Sequence, residues 1–127
     1  MRDVTGHDSI EELCIAADVL ITDYSSVMFD YAVLDRPIVI YAPDWETYRD
    51  RRGTYFDVTA EPPGVVARTL DDLAAAFTSG AYNGDVATKA RRLFRARFCA
   101  WDDGKAAERV VRRVFLGEHP EPPSVAA

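Results

Sequence analysis

The sequence predicts an α/β fold, a Rossmann-like parallel sheet with flanking helices. Two short runs, Val19–Thr22 and Ile38–Tyr41, are apolar on both faces, as strands inside a parallel sheet are. A helical stretch with short connections lies between them, so the unit is strand, helix, strand with a right-handed crossover. The 127 residues, 48% hydrophobic and 28% charged, allow one small domain with a modest core.

Taken in order, Asp8 or Ser9 can cap a helix over Ile10–Ala16, with Glu11 and Glu12 at the positive end of its dipole. Val19–Thr22 is the first strand. Ser25 or Ser26 caps the next helix, which runs to about Leu34 and ends at Asp35-Arg36-Pro37. Ile38–Tyr41 follows and is closed by Ala42-Pro43-Asp44. From Trp45 to Gly64 the pattern is irregular, aromatic and charged, and reads as a functional loop. Val65-Val66 suits a short edge strand. Thr69-Leu70-Asp71-Asp72 resembles a capping box and starts a helix to about Phe77. Residues 79–84 form a turn cluster, and a helix runs from about Val86 to Phe98. In a last helix ending near Gly117, residues Ala106, Val110, Val111 and Val114 make an inward stripe. The expected division is a domain over 1–117 and a disordered, proline-bearing tail over 118–127.

Charge and cysteine content narrow the partners. A net charge of −6 argues against nucleic acid, which demands a basic stripe. Of the 15 cations only Lys89 and Lys105 are lysines, and arginines cluster at 49–52, 91–97 and 109–113. Arginine suits bidentate phosphate contacts, but the favoured reading of this arginine richness is overall composition. Cys14 and Cys99 sit in apolar helical patterns without CxxC spacing, the pattern of buried, reduced thiols in a cytoplasmic protein. No window approaches the ~20 apolar residues of a membrane span, and the N-terminus lacks a signal peptide's apolar core. No cofactor or metal site is expected.

The segment Asp23-Tyr24-Ser25-Ser26 carries the chemistry. It lies where a buried strand ends and a helix begins, the end of a parallel sheet at which ligands bind. Unsatisfied backbone N–H groups of a first helical turn, with the dipole, attract anions. Ser25 and Ser26 add hydroxyl donors, and Asp30, four residues after Ser26, shares its helix face. Phosphate on the serines and ribose hydroxyls on Asp30 would describe a nucleoside diphosphate site. Without any ligand, the same serines serve as ordinary helix caps and Asp30 as a solvated helix residue. The glycine-rich dinucleotide fingerprint is absent, which argues against NAD.

The stretch "ADVLITDYSSVMFDYAVLDRPIVIY", Ala17–Tyr41, resembles the C-terminal segment of the CDP-glycerol glycerophosphotransferases, the teichoic-acid primases and polymerases. The likeness continues through Arg52-Gly53, Tyr55-Phe56-Asp57, Pro63-Gly64, Thr69–Leu73, Asp103-Gly104-Lys105 and Glu108-Arg109. It implies part of the C-terminal, donor-binding domain of a GT-B enzyme. Such an enzyme moves glycerol or ribitol phosphate from its CDP carrier to the hydroxyl of a lipid-linked acceptor, releasing CMP. It would work in the cytoplasm, at the inner face of the cell membrane. On that resemblance Ser25 and Ser26 hold the donor's pyrophosphate, Asp30 meets the ribose, and Arg49 or Arg52 neutralises phosphate charge. The family's catalytic histidines belong to segments upstream of this block, so no catalytic residue is expected in this chain. His7 and His119 read as surface residues, Arg109 as a weaker donor contact, and Asp23 as a loop-orienting carboxylate.

With two or three strands, an exposed sheet edge is expected, pairing with a copy of the chain or another segment. A phosphorylated receiver domain lacks support, since neither lysine follows a strand-like run. A nucleotide-sugar glycosyltransferase of the same architecture, or a non-catalytic module, are the alternatives.

Overall fold

The computed structural model describes residues 1–119 and Glu121. Its elements are α1 (Ile10–Ala16), β1 (Leu20–Thr22), α2 (Val27–Ala32), β2 (Ile38–Tyr41), α3 (Trp45–Arg52), β3 (Val65–Ala67), α4 (Leu70–Thr78), α5 (Asp85–Phe98) and α6 (Ala106–Phe115), with a 3-10 turn at Ala81–Asn83. The expected parallel α/β architecture is present: one sheet of order β1-β2-β3, with Leu20 opposite Ile38 and Val39 opposite Val65.

β2 is apolar on both sides because it is the central strand. Ile38, Val39 and Ile40 are fully buried, and each such side chain stabilises the fold by roughly 1.5–3 kcal/mol. β1 lies at the edge, with no strand on its outer side among the described residues and Ile21 exposed. Gly64, entering β3, packs so tightly on β2 that a Cβ there would run into the Ile38 carbonyl oxygen.

Polar groups fix the helix ends. The Ser9 hydroxyl accepts from the Glu12 N–H at 3.1 Å, capping α1. At the other end of α1, the Arg36 guanidinium donates to the carbonyls of Ile15 and Ala17, each at 2.6 Å. The Tyr31 hydroxyl also donates to Ala17, at 2.8 Å. Together these satisfy carbonyls that a helix C-terminus leaves without partners. The Thr69–Asp72 capping box forms as expected: Thr69 accepts from Asp72 N–H, and the Asp72 carboxylate accepts from Thr69 N–H at 2.9 Å. α5 packs through Ala87, Arg91 and Phe94, spaced to share one face.

Three expectations need correction. The segment after β2 is not all loop: Trp45–Arg52 is helical, its first turn held by Tyr48 N–H donating to the Asp44 carbonyl. Its aromatic residues serve packing, with Trp45 buried and Phe56 lying in a cluster with Phe29, Phe94 and Phe98. Only Tyr55 stands out into solvent. Second, the α6 stripe does not enter the core: Val110, Val111 and Val114 are all exposed, Val110 and Val114 lining an open recess with Trp101. Third, of the two serines expected to cap α2, Ser26 occupies the cap position with helical dihedrals, φ −62° and ψ −15°, and makes no side-chain capping bond, whereas Ser25 accepts from the Val27 N–H at 3.4 Å. The disordered tail expected from residue 118 falls largely outside the described residues.

Candidate functional site

The carboxyl ends of the three strands lie side by side. After β1, the Asp23 carboxylate accepts from the Ser25 N–H at 3.2 Å, so it does orient the turn through a backbone donor. The Ser25 hydroxyl accepts weakly from the Val27 N–H at 3.4 Å. The Ser26 hydroxyl has no hydrogen-bond partner within the chain among the described residues. Asp23, Ser25 and Ser26 are all exposed. The turn therefore shows solvent two hydroxyls, one uncommitted and one loosely held.

Tyr24 bolts this turn to the tip of β2. Its ring stacks on Tyr48 with centroids 4.0 Å apart, and its hydroxyl donates to the Asp44 carboxylate at 2.8 Å. Burial, and then the bond to Asp44, push the Tyr24 phenol far above its ordinary range, so it remains a neutral donor. Sequence reasoning passed over Tyr24. An aromatic residue placed between a strand-tip carboxylate and two serines is a usable signal, since a phenol combines an apolar body with a polar tip.

α2 separates two recesses. Ser26 opens, with Tyr24, Tyr48, Gly53, Thr54 and Tyr55, into a pocket of about 330 Å³. Asp30 opens into a groove of about 480 Å³ with Val33, Leu34, Trp101, Asp102 and Gly104. Phe29 lines both, so the two recesses adjoin and share its ring as a wall. Ser26 and Asp30 thus lie one helical turn apart, as their spacing required, but do not share a single pocket. Asp30 is exposed and forms no hydrogen bond or ion pair among the described residues.

The arginines divide differently. Arg49 holds its neighbour Asp50 at 3.0 Å, and Arg52 ends α3 next to Gly53, which lines the Ser26 pocket, without lining it itself. Neither hydrogen-bonds to Ser25 or Ser26. Arg109 donates to Asp103 and to the Trp101 carbonyl, each at 2.6 Å, and is largely buried. It holds a turn together instead of facing solvent. Among the histidines, His7 lies 3.0 Å from Glu12 and His119 lies 3.3 Å from Arg113, both on the surface. Burial raises the thiol of Cys14, with Asp30 adding to it, and raises that of Cys99, with Asp102 adding to it. Both cysteines are therefore poor nucleophiles. No group of three or more metal-ligating side chains occurs among the described residues.

A family model described as CDP-Glycerol:Poly(glycerophosphate) glycerophosphotransferase matches residues 1–116. The chain belongs to this family. The chain is 41% identical over 117 residues to the teichoic acid poly(glycerol phosphate) polymerase of Bacillus subtilis (strain 168), covering 91% of this chain and 16% of that protein. It is 37% identical over 116 residues to the teichoic acid glycerol-phosphate transferase of Staphylococcus aureus, covering 91% of this chain and 30% of that protein. The solved wall teichoic acid polymerase TagF superposes with a TM-score of 0.73 at 32% identity, over 91% of this chain and 28% of that one. A TagF variant soaked with CDPG superposes equally well. The chain thus spans less than a third of the length of these relatives. No helix among the described residues is long and apolar enough to cross a membrane.

Proposed function

We propose that this segment binds the donor in a glycerophosphotransferase of GT-B type. The enzyme would transfer glycerol phosphate, or a related polyol phosphate, from a CDP carrier to the hydroxyl of a lipid-linked acceptor and release CMP. The observation that carries the reading is the Asp23–Ser26 turn, whose hydroxyls are exposed at the carboxyl end of β1 with Ser26 uncommitted. Ser25 and Ser26 donate to the donor's pyrophosphate, Asp23 shapes the turn, and Asp30 accepts from the ribose. Arg52, next in sequence to the pocket-lining Gly53, neutralises phosphate charge; Arg49 would first have to leave Asp50. The relatives named for teichoic acid synthesis and the TagF variant soaked with CDPG support a CDP-linked donor. Catalytic base and acceptor contacts come from outside this segment, at the cytoplasmic face of the membrane where a lipid-linked acceptor is met. The open edge of β1 is a place for another strand, from elsewhere in the polypeptide or from a second copy.

Calorimetric titration with CDP-glycerol, CMP and UDP-glucose tests this. Cytidine ligands are expected to bind, with Ser26→Ala weakening CDP-glycerol and Asp30→Asn weakening CMP and cytidine alike. Tighter binding of UDP-glucose would favour a nucleotide-sugar transferase. No binding by the folded chain would overturn the reading for this segment.

A further inference from the structure

We propose that the groove between α2 and the turn after α5 seats the nucleoside, with ribose on Asp30 and the base stacked on the Trp101 indole. This rests on the donor reading above and adds the base, together with a residue to hold it. Sequence reasoning did not single out Trp101.

Trp101 is 53% exposed, although a side chain of that size gains most by burial. It is nevertheless held in place. The Arg109 guanidinium lies 5.3 Å from the centre of its ring, and the same group donates to the Trp101 carbonyl at 2.6 Å. Arg109 is itself fixed by Asp103 at 2.6 Å, and Asp103 in turn accepts from the Lys105 N–H at 2.9 Å. The Asp102 N–H donates to the Cys99 carbonyl at 3.1 Å, which ties the turn to the end of α5. A cation over one face of an indole is a favourable arrangement, and it anchors the ring while the groove remains open. Trp101 is thus a braced aromatic plate at the wall of a groove.

The groove suits a nucleoside in size and chemistry. Its volume of about 480 Å³ lies within the usual range for small-molecule sites. Phe29, Val33 and Leu34 form an apolar wall, and Asp30 supplies a carboxylate with no partner among the described residues. An ionised carboxylate is acceptor-only, the complement of vicinal ribose hydroxyls, which can both donate. Bases stack on aromatic rings whatever their sequence identity, because each presents a π-face. Ser26 lies one turn of α2 away, about 5.4 Å along the axis, so a nucleotide with ribose at Asp30 can direct its phosphates toward the Asp23–Ser26 turn.

The test is a fluorescence titration of the full chain with CMP and cytidine, with calorimetry on CDP-glycerol in parallel. Of the two tryptophans, Trp45 is buried and Trp101 exposed, so ligand-dependent quenching reports chiefly on Trp101. Quenching is expected on addition of CMP. Trp101→Ala should weaken CMP and cytidine roughly ten-fold, while Trp101→Phe, which keeps a ring, holds affinity within a few-fold and removes the signal. Circular dichroism confirms that each variant folds. Calorimetric binding that depends on Asp30 but is unchanged in Trp101→Ala overturns this inference and leaves the donor reading standing. Absence of all nucleotide binding by the folded chain overturns both.

Discussion

The two ends of α2 come from one contiguous sequence block and do opposite things. At the front, Ser26 and Asp30 are exposed and have no partner within the chain among the described residues. At the back, the side chains of Asp35 and Arg36 and the carbonyl of Pro37 are all engaged. The Asp35 carboxylate holds Arg91 at 2.8 Å and Arg95 at 3.1 Å, Arg36 closes the end of α1, and the Pro37 carbonyl accepts from the Leu20 N–H at 3.0 Å. Asp35 also takes a left-handed conformation, φ 54°, which Asp tolerates better than most residues and which turns the chain out of α2. A block that reads as one motif is half solvent-facing and half clamp. The clamp holds α2 against α5 and α1, and so fixes where the free end points.

Breaking the clamp should have the largest effect on stability. Asp35→Ala places a Cβ residue without local hydrogen bonding at positive φ and strands Arg91, which is 8% exposed, without a counter-charge. The expected loss is about 2–3 kcal/mol in urea denaturation, below the full penalty for a buried pair because Asp35 itself is half exposed. Asp35→Asn, which tolerates the backbone and keeps an acceptor, should cost clearly less. Equal losses would mean that charge, not conformation, dominates.

Arg36→Ala should come next, at roughly 1–2 kcal/mol, because it leaves the carbonyls of Ile15 and Ala17 short of a charged donor. Tyr31 still reaches Ala17, which limits the damage. The front of the helix should behave in the opposite sense. Ser26→Ala is expected to change stability by less than about 0.5 kcal/mol, since no cap bond is lost. It should weaken CDP-glycerol binding by about 1 kcal/mol or more, the scale of a charge-assisted hydrogen bond. A large stability loss in Ser26→Ala would erase the contrast between the two ends.

The smallest expected effect is on pH dependence. Desolvation pushes the Asp35 carboxyl up, but hydrogen bonds and charge from Arg91 and Arg95 outweigh it and hold the carboxyl below its ordinary value. A carboxyl depressed in the folded state contributes stability that is complete above its unfolded value, near 3.9, and is lost as pH falls through the folded value. Acid titration of unfolding should therefore show a steeper loss below about pH 4 in the parent than in Asp35→Asn. Parallel curves would show that the pair carries no linkage.

What was legible in the sequence followed from local periodicity. The strands Ile38–Tyr41 and Leu20–Thr22, the Ser9 cap and the Thr69–Asp72 box all depend on residues within one or two turns of each other. The strand-tip position of Asp23–Ser26 was legible for the same reason, as was the likeness to the glycerophosphotransferases. Packing between distant segments decided the rest. Arg91 is buried because Asp35, far away in sequence, waits at the end of α2. Trp45–Arg52 is helical although its composition reads as a loop, because Trp45 has a core to enter and Tyr48 a ring to stack on. Val110, Val111 and Val114 have the spacing of an inward stripe, yet the described residues leave all three exposed. Likewise, spacing put Ser26 and Asp30 on one helix face, but Phe29 and Trp101 settled into which recess each of them opens. Periodicity says which side of a helix a residue occupies. What stands opposite that side is decided only when distant parts of the chain fold together.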